Sequence, residues 1–292
     1  MANNLNKELR ERLSERDTLL VPGAPNALAA KITEDIGFEA VYVTGAGIAN
    51  TYLGVPDIGL VTLTELAEHV AAIRDAVVLP LIVDADTGFG NPLNVMRTVK
   101  MLERSGANAI QIEDQITPKR CGHFNDKRVI GRDEMVQKIH AAADARQDDN
   151  LIIVARTDAR AALGFEEAVE RAGVYLEAGA DVTFVEAPQS EEEVAAIPQR
   201  LPGPQVINMV QGGRTPLLGL EELEGYAIAL YANAALQGAI YGMQNVLGHL
   251  HEHGSMVGVL DEIAGWDERQ RIVGHYVFEK LDEKYAAQSD RR

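Results

Sequence analysis

Cysteine is nearly absent: Cys121 is the only one in 292 residues. An intrachain disulfide framework is therefore excluded, and the chain suits a reducing, cytoplasmic compartment. Aromatic residues make up only 5% while hydrophobic residues reach 46%, so the core is aliphatic and, at this length, needs no covalent staples. Basic residues are in deficit, with 27 Lys and Arg against 44 Asp and Glu and a net charge of −17. That field repels nucleic acid and anionic membrane at long range, which argues against both as partners. No run approaches the ~18 consecutive apolar residues of a membrane span. The first twenty residues have a charged helical pattern without the apolar centre of a signal peptide. No Pro-rich or Ser-rich linker divides the chain, so residues 1–292 read as one domain.

What is present is a repeat of short β-branched runs. They are LLVPG at 19, AVYVTG at 40, LIVDAD at 81, AIQIED at 109, LIIVARTD at 151, VTFVEA at 182, QVINM at 205 and IALY at 228. Amphipathic helical stretches such as LTELAEHVAAIRDA and FEEAVERAGVYLEAGA lie between them, several ended by glycine. Eight β/α units in roughly 250 residues fit a closed (β/α)8 TIM barrel better than an open doubly wound sheet. Beyond about residue 235 the chain runs on as a helical extension, to 292, longer than a barrel needs. Extra apolar helices of this kind point to a subunit contact.

Thr44, Asp84, Asp86, Glu113, Arg156, Asp158, Glu186 and Asn208 all stand at the carboxyl end of an expected strand. Barrel enzymes build their sites on that face. Asp84-Ala85-Asp86 and Glu113 offer hard oxygen ligands for Mg²⁺, or for Mn²⁺, and no His/Cys spacing suggests zinc. Cys121 lies within Lys119-Arg120-Cys121-Gly122-His123, where two cations and an imidazole flank a thiol, the setting of a reactive sulfur. The polar stretch from Thr117 to Gly131 would form a long loop able to close over a bound anion. Val43-Thr44-Gly45-Ala46-Gly47 would present backbone N–H groups to a carboxylate, or simply make a tight turn. Arg156 is a natural carboxylate fork, or a structural ion-pair partner of Glu186 or Glu113. His249, His251 and His253 read as solvated surface near a helix end; His69, His140 and His275 read as packing or surface.

The KRCGH element, preceded by Asp84-Ala85-Asp86-Thr87-Gly88-Phe89-Gly90 and Ile112-Glu113-Asp114-Gln115, resembles the isocitrate lyase/phosphoenolpyruvate mutase superfamily over about residues 10–280. The resemblance implies a barrel whose C-terminal helix is exchanged between paired subunits in a homotetramer. It implies Asp84 and Asp86 near Mg²⁺ or Mn²⁺, with Asp57 and Glu113 holding the metal's waters. Tyr42, Thr44, Gly45 and Ala46 would line the substrate carboxylate pocket with Arg156, Glu186 and Asn208. Cys121 would be the general acid, supported by Lys119, Arg120 and His123. The segment Asn208-Met209-Val210-Gln211-Gly212-Gly213 lacks the pattern of methylisocitrate lyases, and Gln237 stands where those enzymes use an arginine. Both departures weaken the grip on a third carboxylate. The sequence is similar instead to the 2,3-dimethylmalate lyase and oxaloacetate hydrolase group, with Gln211 in place of an expected glutamate, and Pro216 leans toward the lyase. The activity implied is cleavage of a small 2-hydroxy dicarboxylate to pyruvate and a carboxylic acid. Oxaloacetate hydrolysis, methylisocitrate or isocitrate cleavage, and a non-catalytic dicarboxylate-binding barrel remain open alternatives.

Overall fold

The computed structural model describes residues 2–15, 17–120, 122 and 127–286. Its eight strands are β1 (Leu19–Ala24), β2 (Val41–Val43), β3 (Leu81–Asp84), β4 (Ala109–Glu113), β5 (Ile152–Thr157), β6 (Val182–Val185), β7 (Gln205–Asn208) and β8 (Ile228–Tyr231). Seven of them fall within runs read from the sequence, and β1 extends its run by one residue, to Ala24. They pair in sequence order, all parallel, and β8 returns to β1 with Leu19 opposite Ile228, closing the barrel. A parallel strand is buried on both faces, which is why these runs are continuously apolar rather than alternating.

The helices are α1 (Ala2–Leu13), α2 (Ala27–Ile36), α3 (Gly45–Ile48), α4 (Leu63–Ala76), α5 (Pro92–Arg104), α6 (Arg132–Ala145), α7 (Ala159–Leu163), α8 (Phe165–Glu177), α9 (Glu191–Arg200), α10 (Ala234–His253), α11 (Trp266–Ile272) and α12 (His275–Tyr285). Local chemistry sets several starts. Thr62 and Glu65 form a capping box on α4, and Asn91 with Pro92 opens α5. The connection between β7 and β8 carries only a 3₁₀ turn, Leu220–Leu223, where a full β/α unit would place a helix. Gly212, Gly213, Pro216, Gly219 and Gly225 interrupt that stretch, and such residues are poor helix formers.

Helix α1 plugs the amino end of the barrel. Leu9 and Leu13 are buried in the same cluster as the inward-facing Leu19, Val21, Tyr42, Ile82, Val154, Phe184 and Leu230. The Arg10 guanidinium donates to Asp181 at 2.9 Å, and Asn6 donates to Asp148 at 2.9 Å. With that end closed, access to the interior is left to the carboxyl end, where the polar residues gather.

The chain divides into two compact units, Met1–Leu236 and Gln237–Arg292. The division falls inside α10, so no break in composition announces it. In the second unit Tyr241, Trp266, Tyr276, Phe278 and Tyr285 are exposed. The His249 and His253 rings stack 4.3 Å apart there, and His249 Nε2 lies 2.8 Å from the Val257 carbonyl oxygen. Among the described residues no helix is long and apolar enough to cross a membrane.

Candidate active site

A cavity of about 40 Å³ opens at the carboxyl end of the strands. Tyr42, Thr44 and Ala46 reach it from β2 and the turn after it, Asp84 from β3, Glu113 from β4, Arg156 from β5, Glu186 from β6 and Asn208 from β7. Asp57, Lys119, Arg120 and Gly122 come to it from loops. Such a volume holds a few waters. A dicarboxylate therefore requires the loop residues at its rim to move.

The acidic side is built around Gly45, where β2 turns into α3. A Cβ on Gly45 would sit 3.2 Å from Asp84 Oδ2 and 3.3 Å from Asp86 Oδ1, so a bare backbone is what lets both carboxylates approach. Gln111 donates to Asp84 Oδ1 at 3.3 Å, and the Asp86 N–H donates to the same oxygen at 3.2 Å. Asp86 holds φ at +48°, a left-handed conformation that aspartate tolerates better than most residues. Thr44 caps α3, accepting from the Gly47 N–H at 3.2 Å. The Lys119 ammonium bridges Asp57 at 2.5 Å and Asp86 at 2.8 Å. Burial pushes the Asp86 carboxyl up to about 7 against the pull of Lys119. Burial alone would depress Lys119, but Asp86, Asp84, Asp57 and Glu113 outweigh it and hold the ammonium well above its usual value. Burial, with Asp84 beside it, likewise drives Tyr42 well up, so its phenol stays a hydrogen-bond donor.

Arg156 organises the opposite side. Its guanidinium forks onto Asp158 at 2.9 and 3.1 Å and lies 3.2 Å from both Glu113 Oε2 and Glu186 Oε2. Arg156 is thus an ion-pair hub, as one of the two readings of the sequence had it, and it also lines the cavity. Its charge also lies over the Phe184 ring, 5.2 Å from the centroid. Burial would lower the Arg156 pKa, yet Asp158, Glu186 and Glu113 raise it well above the ordinary value. Burial pushes Glu113 well up, with Arg156 opposing. Glu113 Oε1 is buried and accepts no hydrogen bond among the described residues. Behind this layer Asp114 accepts from Thr157, Tyr175, Arg171 and the Asp158 N–H, which fixes the backbone that carries Asp158.

The loop after β4 is tied at both ends. Gln115 pairs antiparallel with Val129, the Ile116 N–H donates to the Arg128 carbonyl, and the Ile130 N–H donates to the Asp114 carbonyl. Gln115 also clamps Arg120, donating to its carbonyl at 2.8 Å and accepting from its N–H at 2.9 Å. Gly122 passes so close to Arg156 and Glu186 that any side chain there would collide with them, which explains the glycine of the KRCGH element. Lys127, fully buried, donates to the Gly122 carbonyl and pairs with Asp158 at 2.6 Å. Cys121 and His123 lie outside the described residues. Lys127→Met is expected to release this tether and raise the rate of proteinase K cleavage between residues 117 and 129 several-fold. A cleavage rate equal to that of the unaltered protein would show that Lys127 does not hold the loop.

Residue-by-residue reading of the strand ends missed Lys127, Gln111, Gln115, Leu230, Ala232 and Asn233. The last three complete the wall of the cavity. Asn233 stands two residues past the end of β8, as Asp86 stands two past β3. The same offset was a signal available at both places.

Asp84 and Asp86 also form the donor set a hard cation needs. Among the described residues no group of three His, Cys, Asp or Glu is drawn together tightly enough to hold an ion. Mg²⁺ takes one or two carboxylates, a number that Asp84 and Asp86 supply, and keeps several waters. Burial raises Asp86 against the pull of Lys119, and further positive charge beside it would favour its ionised form. The residues therefore fit the group.

Residues 9–251 match the family described as phosphoenolpyruvate phosphomutase. The chain is 43% identical over 285 residues to 2,3-dimethylmalate lyase of Eubacterium barkeri, covering 97% of this chain and 99% of the relative. It is 43% identical over 284 residues to 2-methylisocitrate lyase of Aeropyrum pernix, covering 97% and 91%. Among solved structures, oxaloacetate acetylhydrolase in complex with 3,3-difluorooxalacetate superposes with a TM-score of 0.91 at 34% identity, covering 97% of each chain. With a closed eight-stranded barrel, charged side chains gathered at its carboxyl end and similarity along nearly its whole length, this chain belongs to the phosphoenolpyruvate mutase/isocitrate lyase superfamily.

Proposed function

We propose that the protein is a Mg²⁺-dependent carbon–carbon lyase that cleaves a substituted malate, of the 2,3-dimethylmalate type, into pyruvate and a carboxylic acid. The observation that carries this reading is the meeting at one cavity of the Asp84 carboxylate, the Arg156 fork and the Lys119–Gly122 loop. Mg²⁺, or Mn²⁺, would bind near Asp84 and Asp86, with Asp57 and Glu113 holding its waters. When bound, such an ion lowers the pKa of the substrate's 2-hydroxyl and neutralises the adjacent carboxylate.

The chain's own residues do the rest. The Tyr42 phenol, Thr44, and the backbone of Gly45 and Ala46 hold the carboxylate beside the bond that breaks. Arg156, with Glu186 and Asn208, orients the second carboxylate and faces the negative charge that develops there as the C2–C3 bond cleaves. Cys121, between two residues that line the cavity, delivers a proton to C3. Lys119, Arg120 and His123 support it, and a carboxylate such as that of Glu186 offsets the cations so that the thiol stays protonated until needed. The enzyme works in the cytoplasm on a small dicarboxylate as a homotetramer, in which a second copy covers the exposed aromatics of the Gln237–Arg292 unit.

Chelation tests the metal dependence. Pyruvate release, followed by coupling to lactate dehydrogenase, is expected to stop in EDTA and return with added Mg²⁺. Turnover that persists in EDTA would remove the metal from the reading. A second reading is hydrolysis of oxaloacetate to oxalate and acetate, since oxaloacetate acetylhydrolase and 2,3-dimethylmalate lyase structures superpose on this chain equally well, each with a TM-score of 0.91. The same metal and loop serve both reactions, so product identity separates them.

A further inference from the structure

The cavity has two unlike walls. Strands β3 to β6 bring Asp84, Glu113, Arg156 and Glu186 to it, all ionisable, whereas β7 and β8 bring Asn208, Leu230, Ala232 and Asn233, none of which ionises. On that neutral wall Asn208 Oδ1 and Asn233 Oδ1 are both buried and, among the described residues, accept no hydrogen bond. A buried amide carbonyl without a donor is costly, and proteins seldom keep one unless a ligand or an ordered water satisfies it. Asn233 also directly precedes α10, a position at which asparagine commonly accepts from the first turn of the helix. Its Oδ1 makes no such bond. The amide therefore serves neither the helix nor the core, and it lines the cavity instead.

The chemistry of that wall restricts what it can take. A methyl group would leave both carbonyl oxygens unsatisfied. A further carboxylate against that wall would need a cation there, and Asn208, Leu230, Ala232 and Asn233 supply none. A hydroxyl group both donates and accepts, so it satisfies an amide whichever way the amide is turned. We infer that Asn233, together with Asn208, recognises a hydroxyl group on C3 of the substrate, making Asn233 a specificity-determining residue and the substrate a 2,3-dihydroxy dicarboxylate. The inference rests on the lyase reading and narrows it.

For 2,3-dihydroxy-2-methylbutanedioate the step balances as follows. The 2-hydroxyl gives up its proton and becomes the keto oxygen of pyruvate. The C2–C3 bond breaks with its electron pair passing to C3, and C3 takes one proton to become glycolate. The oxidation levels match those of the 3-methyl case, so no further reactant is needed.

The test compares kcat/KM for 2,3-dihydroxy-2-methylbutanedioate and for 2,3-dimethylmalate, with Mg²⁺, in the unaltered protein and in Asn233→Leu. The unaltered protein is expected to favour the 3-hydroxy compound by at least about tenfold, and Asn233→Leu to shift that ratio toward the 3-methyl compound by about 10²-fold, since a site that hydrogen-bonds a substrate hydroxyl discriminates strongly. Asn233→Ser, which keeps a donor and acceptor, should retain part of the preference and serves if the leucine variant does not fold. A ratio unchanged by both substitutions, or a preference of the unaltered protein for the methyl compound, overturns the inference and leaves the lyase reading intact. Failure of the folded, Mg²⁺-loaded protein to cleave either compound overturns both.

Discussion

Arg156→Leu is expected to lose about 3–5 kcal/mol of stability in EDTA at pH 8, together with all measurable turnover. Three carboxylates, those of Glu113, Asp158 and Glu186, converge on this one buried guanidinium. Asp158 would keep Lys127 as a partner, but the guanidinium is the cation paired with Glu113. Removing one member of a buried pair leaves the other charge uncompensated, and that penalty exceeds the net worth of the pair itself. The deficit should depend on pH in a definite direction. Burial already raises the Glu113 pKa above its unfolded value of 4.5, against the pull of Arg156. A group raised on folding contributes stability that is fully present below the unfolded pKa and is lost as pH rises through the folded one. Without Arg156 the raising grows, so the gap in melting temperature between variant and parent should narrow as pH falls from 8 toward 5. Melting curves of both proteins across that range read it directly. A gap that stays constant, or a variant as stable as the parent, would mean that these charges are not held together as described.

Cys121→Ser should lower turnover by at least about 10²-fold. The substitution keeps the size of the side chain and replaces a thiol, with an ordinary pKa near 8.5, by a hydroxyl that is a far weaker acid. If Cys121 protonates C3 as the bond breaks, the interaction exists only in the transition state, so kcat and kcat/KM should fall together while KM stays close to that of the parent. Steady-state pyruvate release over a range of substrate concentrations separates these quantities. Parent-like turnover in the serine variant would end the role of general acid, and a large rise in KM alone would make Cys121 a binding residue instead.

The barrel was legible because buried parallel strands are continuously apolar and β-branched, and because glycine ends several of the helices between them. The strand-end rule then found Asp84, Glu113, Arg156, Glu186 and Asn208, which converge on one cavity. Contacts made by loops were not legible. Lys127 sits in a polar stretch without periodicity, and only the folded chain brings it to Asp158, 31 residues later. Gly122 was read only as part of the KRCGH element, and its lack of a side chain is what admits the backbone beside Arg156 and Glu186. The missing helix between β7 and β8 was visible as a cluster of glycines and a proline but was outweighed by the regularity of the other units. Asn233 escaped because β8 ends at Tyr231 and the residue that reaches the cavity comes two positions later.

The most direct measurement is a ¹H NMR time course of the purified protein with Mg²⁺ and a mixture of 2,3-dimethylmalate, 2-methylisocitrate, isocitrate and oxaloacetate. The account predicts pyruvate and propionate rising in equal amounts as 2,3-dimethylmalate disappears. Acetate and oxalate formed from oxaloacetate, with no pyruvate from any of the hydroxy acids, would contradict it.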